Sequence, residues 1–137
     1  MNNLQKHNAK LFTQLLQKSN LMVEGKWQYR KLVSTGYMDL SIDRLLDTRR
    51  SIHFSLAHNS LQNGDVMADP DMEIDFVLGE TPHVVALHYQ NDFAGPFTSV
   101  EEGNTTQAEL DGFLGYWLRN LLGQGHKIIG AEGTPSM

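Results

Sequence analysis

The densest run of groups able to do chemistry lies between Ala57 and Asp75, in AHNSLQNGDVMADPDMEID, which carries His58, Asn63, Asp65, Asp69, Asp71, Glu73 and Asp75. Carboxylates clustered beside an imidazole suit two kinds of work. They can bind a hard cation such as Mg²⁺ or Ca²⁺ through oxygen, or hold two carboxyl pKa values apart for acid and base roles. The spacing is not that of an EF-hand, which needs Gly at its sixth position and Glu at its twelfth. A structural account covers the same residues: Asn63-Gly64 is a hairpin turn, Asp69-Pro70 is another turn, and Asp71, Glu73 and Asp75 are the wet side of an alternating strand. We favour that account, because it gives each residue a place without a ligand.

Six histidines raise the question of a metal. His53 and His58 are five apart, as are His83 and His88, so strand alternation sends each pair to opposite faces and neither chelates locally. A cross-strand meeting of His58 and His88 stays open. A closed site needs three or four convergent ligands, and no metal is assigned. Ser55 and Ser60 lie near His53 and His58, but without the G-x-S-x-G elbow that presents a nucleophile. Gly112 and Gly115 fall inside a helical pattern instead of opening a phosphate loop. No catalytic residue and no cofactor are therefore expected.

Positioning these residues falls to a simple series of elements. Leu4, Leu11, Phe12, Leu15 and Leu16 recur at helical spacing, predicting a first helix of about four turns ending at Ser19-Asn20. From Trp27 the period becomes two: WQYRKLV, YMDLSI, SIHFSL, MEIDFVL and HVVALHY read as strands, with apolar residues on one face. Ser34-Thr35-Gly36, Asp47-Thr48-Arg49, Gln62 to Pro70 and Gly79 to Pro82 are too short to hold crossover helices. The strands should form an antiparallel meander. Thr106 and Glu109 have capping-box spacing ahead of Leu110, Phe113, Leu114, Trp117, Leu118, Leu121 and Leu122, the apolar stripe of a last helix stopped by Gly123 and Gly125. Gly112 and Gly115 within it suggest a close neighbouring backbone. The expected fold is α+β: about five antiparallel strands with an N-terminal and a C-terminal helix packed on them, in one domain over 1–137, with 131–137 a frayed tail.

Composition narrows the function. The chain of 137 residues has no cysteine, which removes disulfides, thiolate zinc sites and cysteine nucleophiles. A formal charge of −5 gives no general grip on nucleic acid, so direct binding to it is not expected. No apolar run approaches the roughly 18 residues that span a bilayer, and the N-terminus lacks a signal-peptide core, so no membrane is involved and the cytoplasm is the expected location. The stretch Asn91 to Asn104 has neither period, is punctuated by Gly95-Pro96, and carries Phe93 and Phe97 beside Asn91 and Asp92. An irregular loop of that length with two aromatics is a candidate binding surface.

The pattern AH-x3-QNGDVMADPDMEI, followed by Tyr89, Asn91 and Asp92 and then by FLGYWLRNLLGQGH, resembles the bacterial domain of unknown function 6908 over about Ser51 to His126. His58, Gln62, Asn63, Gly64, Asp65, Asp69, Pro70, Met72, Glu73, Trp117, Leu118, Arg119, Asn120, Gln124 and Gly125 stand at the corresponding places. The resemblance implies a compact α+β protein of a bacterium or mobile element and carries no activity to transfer. The part before about Met38 matches less clearly.

These readings together lead to a non-enzymatic, protein-binding accessory protein, with inhibition of a host defence nuclease as one form of that role. The binding candidates are Phe93, Phe97, Asn91, Asp92, His58, Asn63, Asp65, Asp69 and Asp71. The alternative is a cation-dependent hydrolase centred on His58, Asp65, Asp69 and Asp71.

Overall fold

The computed structural model describes residues 2–18, 29–62, 65–91 and 95–128, and within these the side chains of 59–62, 65–69, 95–97 and 127–128 are not described. The chain opens with α1 (Asn3–Lys18), continues through β1 (Tyr29–Val33), β2 (Leu40–Asp47), β3 (Ser51–Gln62), β4 (Asp65–Val77), β5 (His83–Asn91) and β6 (Gly95–Ser99), and closes with α2 (Gln107–Gln124) and β7 (Lys127–Ile128). The first six strands are a consecutive antiparallel meander, and the two-residue β7 adds to the outer edge of β1.

Alternation decides which face is buried. Leu40, Ile42, Phe54, Leu56, Met72, Ile74, Val84 and Ala86 are wholly inaccessible on one side of the sheet. Both helices pack on that side. From α1, the Phe12 ring meets Phe54 at 5.0 Å and Phe76 at 5.6 Å, edge to face. From α2, Trp117 meets His58 and Phe113 meets Tyr89. No described helix lies on the other face.

The helices run side by side in the same direction: Gln5 and Asn8 bond to Asp111 near their starts, and Leu15 shares a cavity wall with Leu121 and Leu122 near their ends. Asp111 is fully buried, and its carboxylate accepts bonds from Gln5 Nε2 (2.9 Å), Ala86 N (3.1 Å) and Gln107 Nε2 (3.0 Å). Gln107 Nε2 also donates to Ala86 O at 2.7 Å. The α2 side chains thus satisfy the edge of β5 at Ala86, where no β6 residue pairs with it. At Gly115 the close neighbour is a side chain and not the backbone expected from the sequence: a Cβ there would lie 2.7 Å from Asn8 Oδ1 of α1. Gly112 has open space around it.

The α2 N-terminus forms at Thr106, whose Oγ accepts from Glu109 N at 3.2 Å. Gly123 does not end the helix, which continues to Gln124; Gly125 is the C-cap, at φ 77°. Two further expectations change. Pro70 is not in a turn but inside β4, where Asp69 and Pro70 stand opposite the single residue His58 in a β-bulge. A proline donates no ladder bond, and a bulge is where a strand accommodates one. The stretch 91–104 is not wholly irregular either: Gly95–Ser99 pairs with β5, and the turn after it is closed by Asn104 Oδ1 on Ser99 N and by Ser99 Oγ on Glu102 N. The Asn63-Gly64 turn, the helix end at Ser19-Asn20 and the tail 131–137 lie outside the described residues.

Candidate functional site

On the open face the pleat lines up the polar residues that alternation predicts. Ser41 and Asp43 come from β2, His53 and Ser55 from β3, and Asp71, Glu73 and Asp75 from β4, with Asp43 opposite Ser55, Ser55 opposite Glu73 and His53 opposite Asp75. β5 supplies His88, opposite Glu73.

His88 is on this face because of a second bulge. Ile74 pairs with Ala86 and Glu73 with His88, so Leu87 is an extra residue that reverses the alternation of β5. His83, which pairs with Val77, and His88 therefore share the open face, contrary to the expectation from their separation alone. His53 and His58, on the unbroken part of β3, do lie on opposite faces as expected.

Glu73 lies between the two imidazoles. Its Oε1 is 2.7 Å from His53 Nε2 and its Oε2 is 2.7 Å from His88 Nε2, with all three side chains partly buried. Burial pushes the Glu73 carboxyl up, but hydrogen bonds from His88 and His53, together with their charge, outweigh it and hold the group below its ordinary range.

Beside this triad, two aspartates have the opposite balance. Burial raises Asp43. Burial also raises Asp71, with Glu73 and Asp43 adding repulsion, and the hydrogen bond from Ser55 Oγ (3.3 Å) and the charge of His88 only partly offset this. Among the described residues neither aspartate has a Lys or Arg within ion-pair distance. The face therefore holds half-buried carboxylates with no Lys or Arg partner among the described residues.

Such an arrangement can bind positive charge. Among the described residues it shows no activated nucleophile, since Ser55 Oγ donates to Asp71 and the Nε2 of each of His53 and His88 is engaged by Glu73. No group of three or more His, Asp or Glu among the described residues has metal-binding geometry.

The candidates named from the sequence divide between the two faces. His58 is on the helix side, 9% exposed, with Nδ1 2.9 Å from Asp39 O and its ring against Trp117 and His126. Asp71 is on the open side, so the structure does not bring these two together. Asn91 pairs with Gly95 at the β5–β6 edge. Asn63, Asp92 and Phe93 lie outside the described residues, as do the side chains of Asp65, Asp69 and Phe97. Sequence reasoning missed the cluster of His53, Glu73 and His88 with Asp43. Alternation does place His53, Asp43 and Glu73 on the polar face, but the bulge that adds His88 leaves no mark in the pattern.

No helix of the described residues is long and apolar enough to cross a membrane. No curated protein and no solved structure matches the chain. The family model of domain of unknown function 6908 matches residues 10–127, a span that takes in most of α1 and all of β1 as well as the segments that carry the resemblance. The chain belongs to that family, the domain of unknown function 6908.

Proposed function

We propose that this chain is a non-enzymatic binding protein that meets a basic protein partner across the open face of its sheet. The observation that carries this reading is the pair Asp43 and Asp71, carboxyls raised by burial with no Lys or Arg within ion-pair distance among the described residues. An Arg or Lys from a partner relieves that cost, and charge complementarity of this kind speeds encounter and selects partners. Arg suits it better, because its planar fork can engage carboxylates bidentately. A nuclease presents a basic surface to DNA, so a defence nuclease confronting a bacterial or mobile-element gene product in the cytoplasm is one partner of this chemistry.

The reading of a cation-dependent hydrolase would need His58 and Asp71 to act together through the sheet, and no observation favours it. Carboxyl footprinting of the complex with a captured partner tests the proposal. Asp43 and Asp71 should lose labelling on binding while Glu109, exposed on α2, keeps its own. Protection of Glu109 with Asp43 and Asp71 unchanged would place the partner on the helix side and overturn the reading.

A further inference from the structure

The carboxylates of the open face have a counterpart on the same chain. At one end of the sheet, the connection between β2 and β3 carries Arg49 and Arg50, both exposed and neither within ion-pair distance of a carboxylate among the described residues. Arg44, nearby on β2, differs: its Nε and one terminal nitrogen each lie 3.0 Å from an Asp47 carboxylate oxygen, so its fork is already engaged.

The turn holds the two arginines in a fixed place. Thr48 N donates to Ser51 O at 2.8 Å, Thr48 Oγ1 accepts from Ser51 N at 3.0 Å and from Arg50 N at 3.3 Å, and Arg50 O accepts from Leu78 N at 2.7 Å. A backbone fixed in advance loses less freedom on binding. Apolar side chains stand at the same end: Leu45 and Leu46 are 51% and 59% exposed, and Leu78, bonded to Arg50, is 39% exposed. Exposed leucines grouped beside arginine have the composition of an interaction surface.

Asp43 and Asp71 lie on β2 and β4 with β3 between them, so roughly 10 Å of sheet separates their strands. Adjacent arginines diverging from one turn can cover that span. We propose that a second copy of this chain seats its β2–β3 turn on the open face, with Arg49 and Arg50 on Asp43 and Asp71. The inference rests on the open face being a surface for basic groups and names one occupant of it. Self-association then competes with any other basic partner for the same carboxylates.

Turn and face are different patches, so each can be disabled alone, and sedimentation equilibrium of the full chain at low salt reads the result. The parent should associate reversibly, and added salt should weaken the association. Arg49→Ala with Arg50→Ala, and separately Asp43→Asn with Asp71→Asn, should each weaken it by about tenfold or more. An equimolar mixture of the two variants should form a one-to-one complex, since one supplies an intact face and the other an intact turn. Lys18→Ala with Arg119→Ala, on the helix side, removes the same number of charges and should associate as the parent does. A parent monomeric at millimolar concentration, association undiminished in either variant, a mixture no better than its components, or an equal loss in the helix-side control would each overturn the proposal. Should the aspartate variant fail to fold, the arginine variant against the helix-side control decides. A monomeric parent whose Asp43 and Asp71 are protected by a captured partner would remove the second copy and leave the open face as the binding surface.

Discussion

His88 Nε2 sits 2.7 Å from Glu73 Oε2, a contact that exists because Leu87 is the extra residue of β5. With unbroken alternation His88 would face the helices, and Glu73 would have His53 alone.

Glu73 should therefore stabilise the fold when ionised. Its folded pKa lies below the ordinary value of 4.5, so the contribution is present above that value and is lost as pH falls through the folded pKa. Glu73→Gln should lower stability by on the order of 1 kcal/mol at pH 7, less than a fully buried pair because a third of the side chain is exposed. Denaturant midpoints should converge with those of the parent in acid below the folded pKa. A gap that persists there would assign the loss to packing.

Asp71 should show the reverse sign. Its folded pKa is raised above 3.8, so ionisation disfavours the fold above the folded pKa and the penalty vanishes below 3.8. Asp71→Asn keeps an acceptor for Ser55 and removes the charge. It should raise the melting temperature at pH 7 by a few degrees at most, with the gain fading in acid. A lower melting temperature at pH 7 would show that His88 already compensates the charge.

The two helical glycines should respond oppositely. Gly112 is exposed with open space around it, and Gly112→Ala should stabilise by about 0.5–1 kcal/mol through helix propensity. Gly115→Ala places a Cβ 2.7 Å from Asn8 Oδ1, and Asn8 is held by its 2.9 Å bond to Asp111 O. Overpacking of this kind costs roughly 1–3 kcal/mol. Thermal unfolding of both variants checks the pair, and equal shifts would contradict the helix contact.

Trp117 tests whether the α2 stripe serves the core. It is 5% exposed and packs on His58, so Trp117→Ala should cost roughly 3–5 kcal/mol. An unchanged denaturant midpoint would mean that the stripe serves an interface.

Sequence alone yields the alternating strands, the turns at Ser34-Thr35-Gly36 and Gly79 to Pro82, and both helices, because each rests on local chemistry: alternation, turn residues, and the Thr106 cap; Gln62 and Asp65 to Pro70, expected in a connection, extend β3 and β4 instead. The same alternation puts Glu73 and Asp71 on the wet face. The bulges at Leu87 and at Asp69-Pro70 were not apparent, since a bulge inserts one residue without changing composition. Asp69-Pro70 reads as a turn in sequence because proline interrupts a ladder in either setting. The pairing of Asp111 with the β5 edge joins residues 25 positions apart, and no local pattern encodes it.

The most direct test of the open face as the binding surface is quantitative capture from the native host with a double charge reversal, Asp43→Lys with Asp71→Lys. Circular dichroism must first show that the variant is folded. The account predicts that the parent retains a basic partner, that the variant loses it, and that added salt weakens the parent's hold. Undiminished retention of that partner by the folded variant would contradict it.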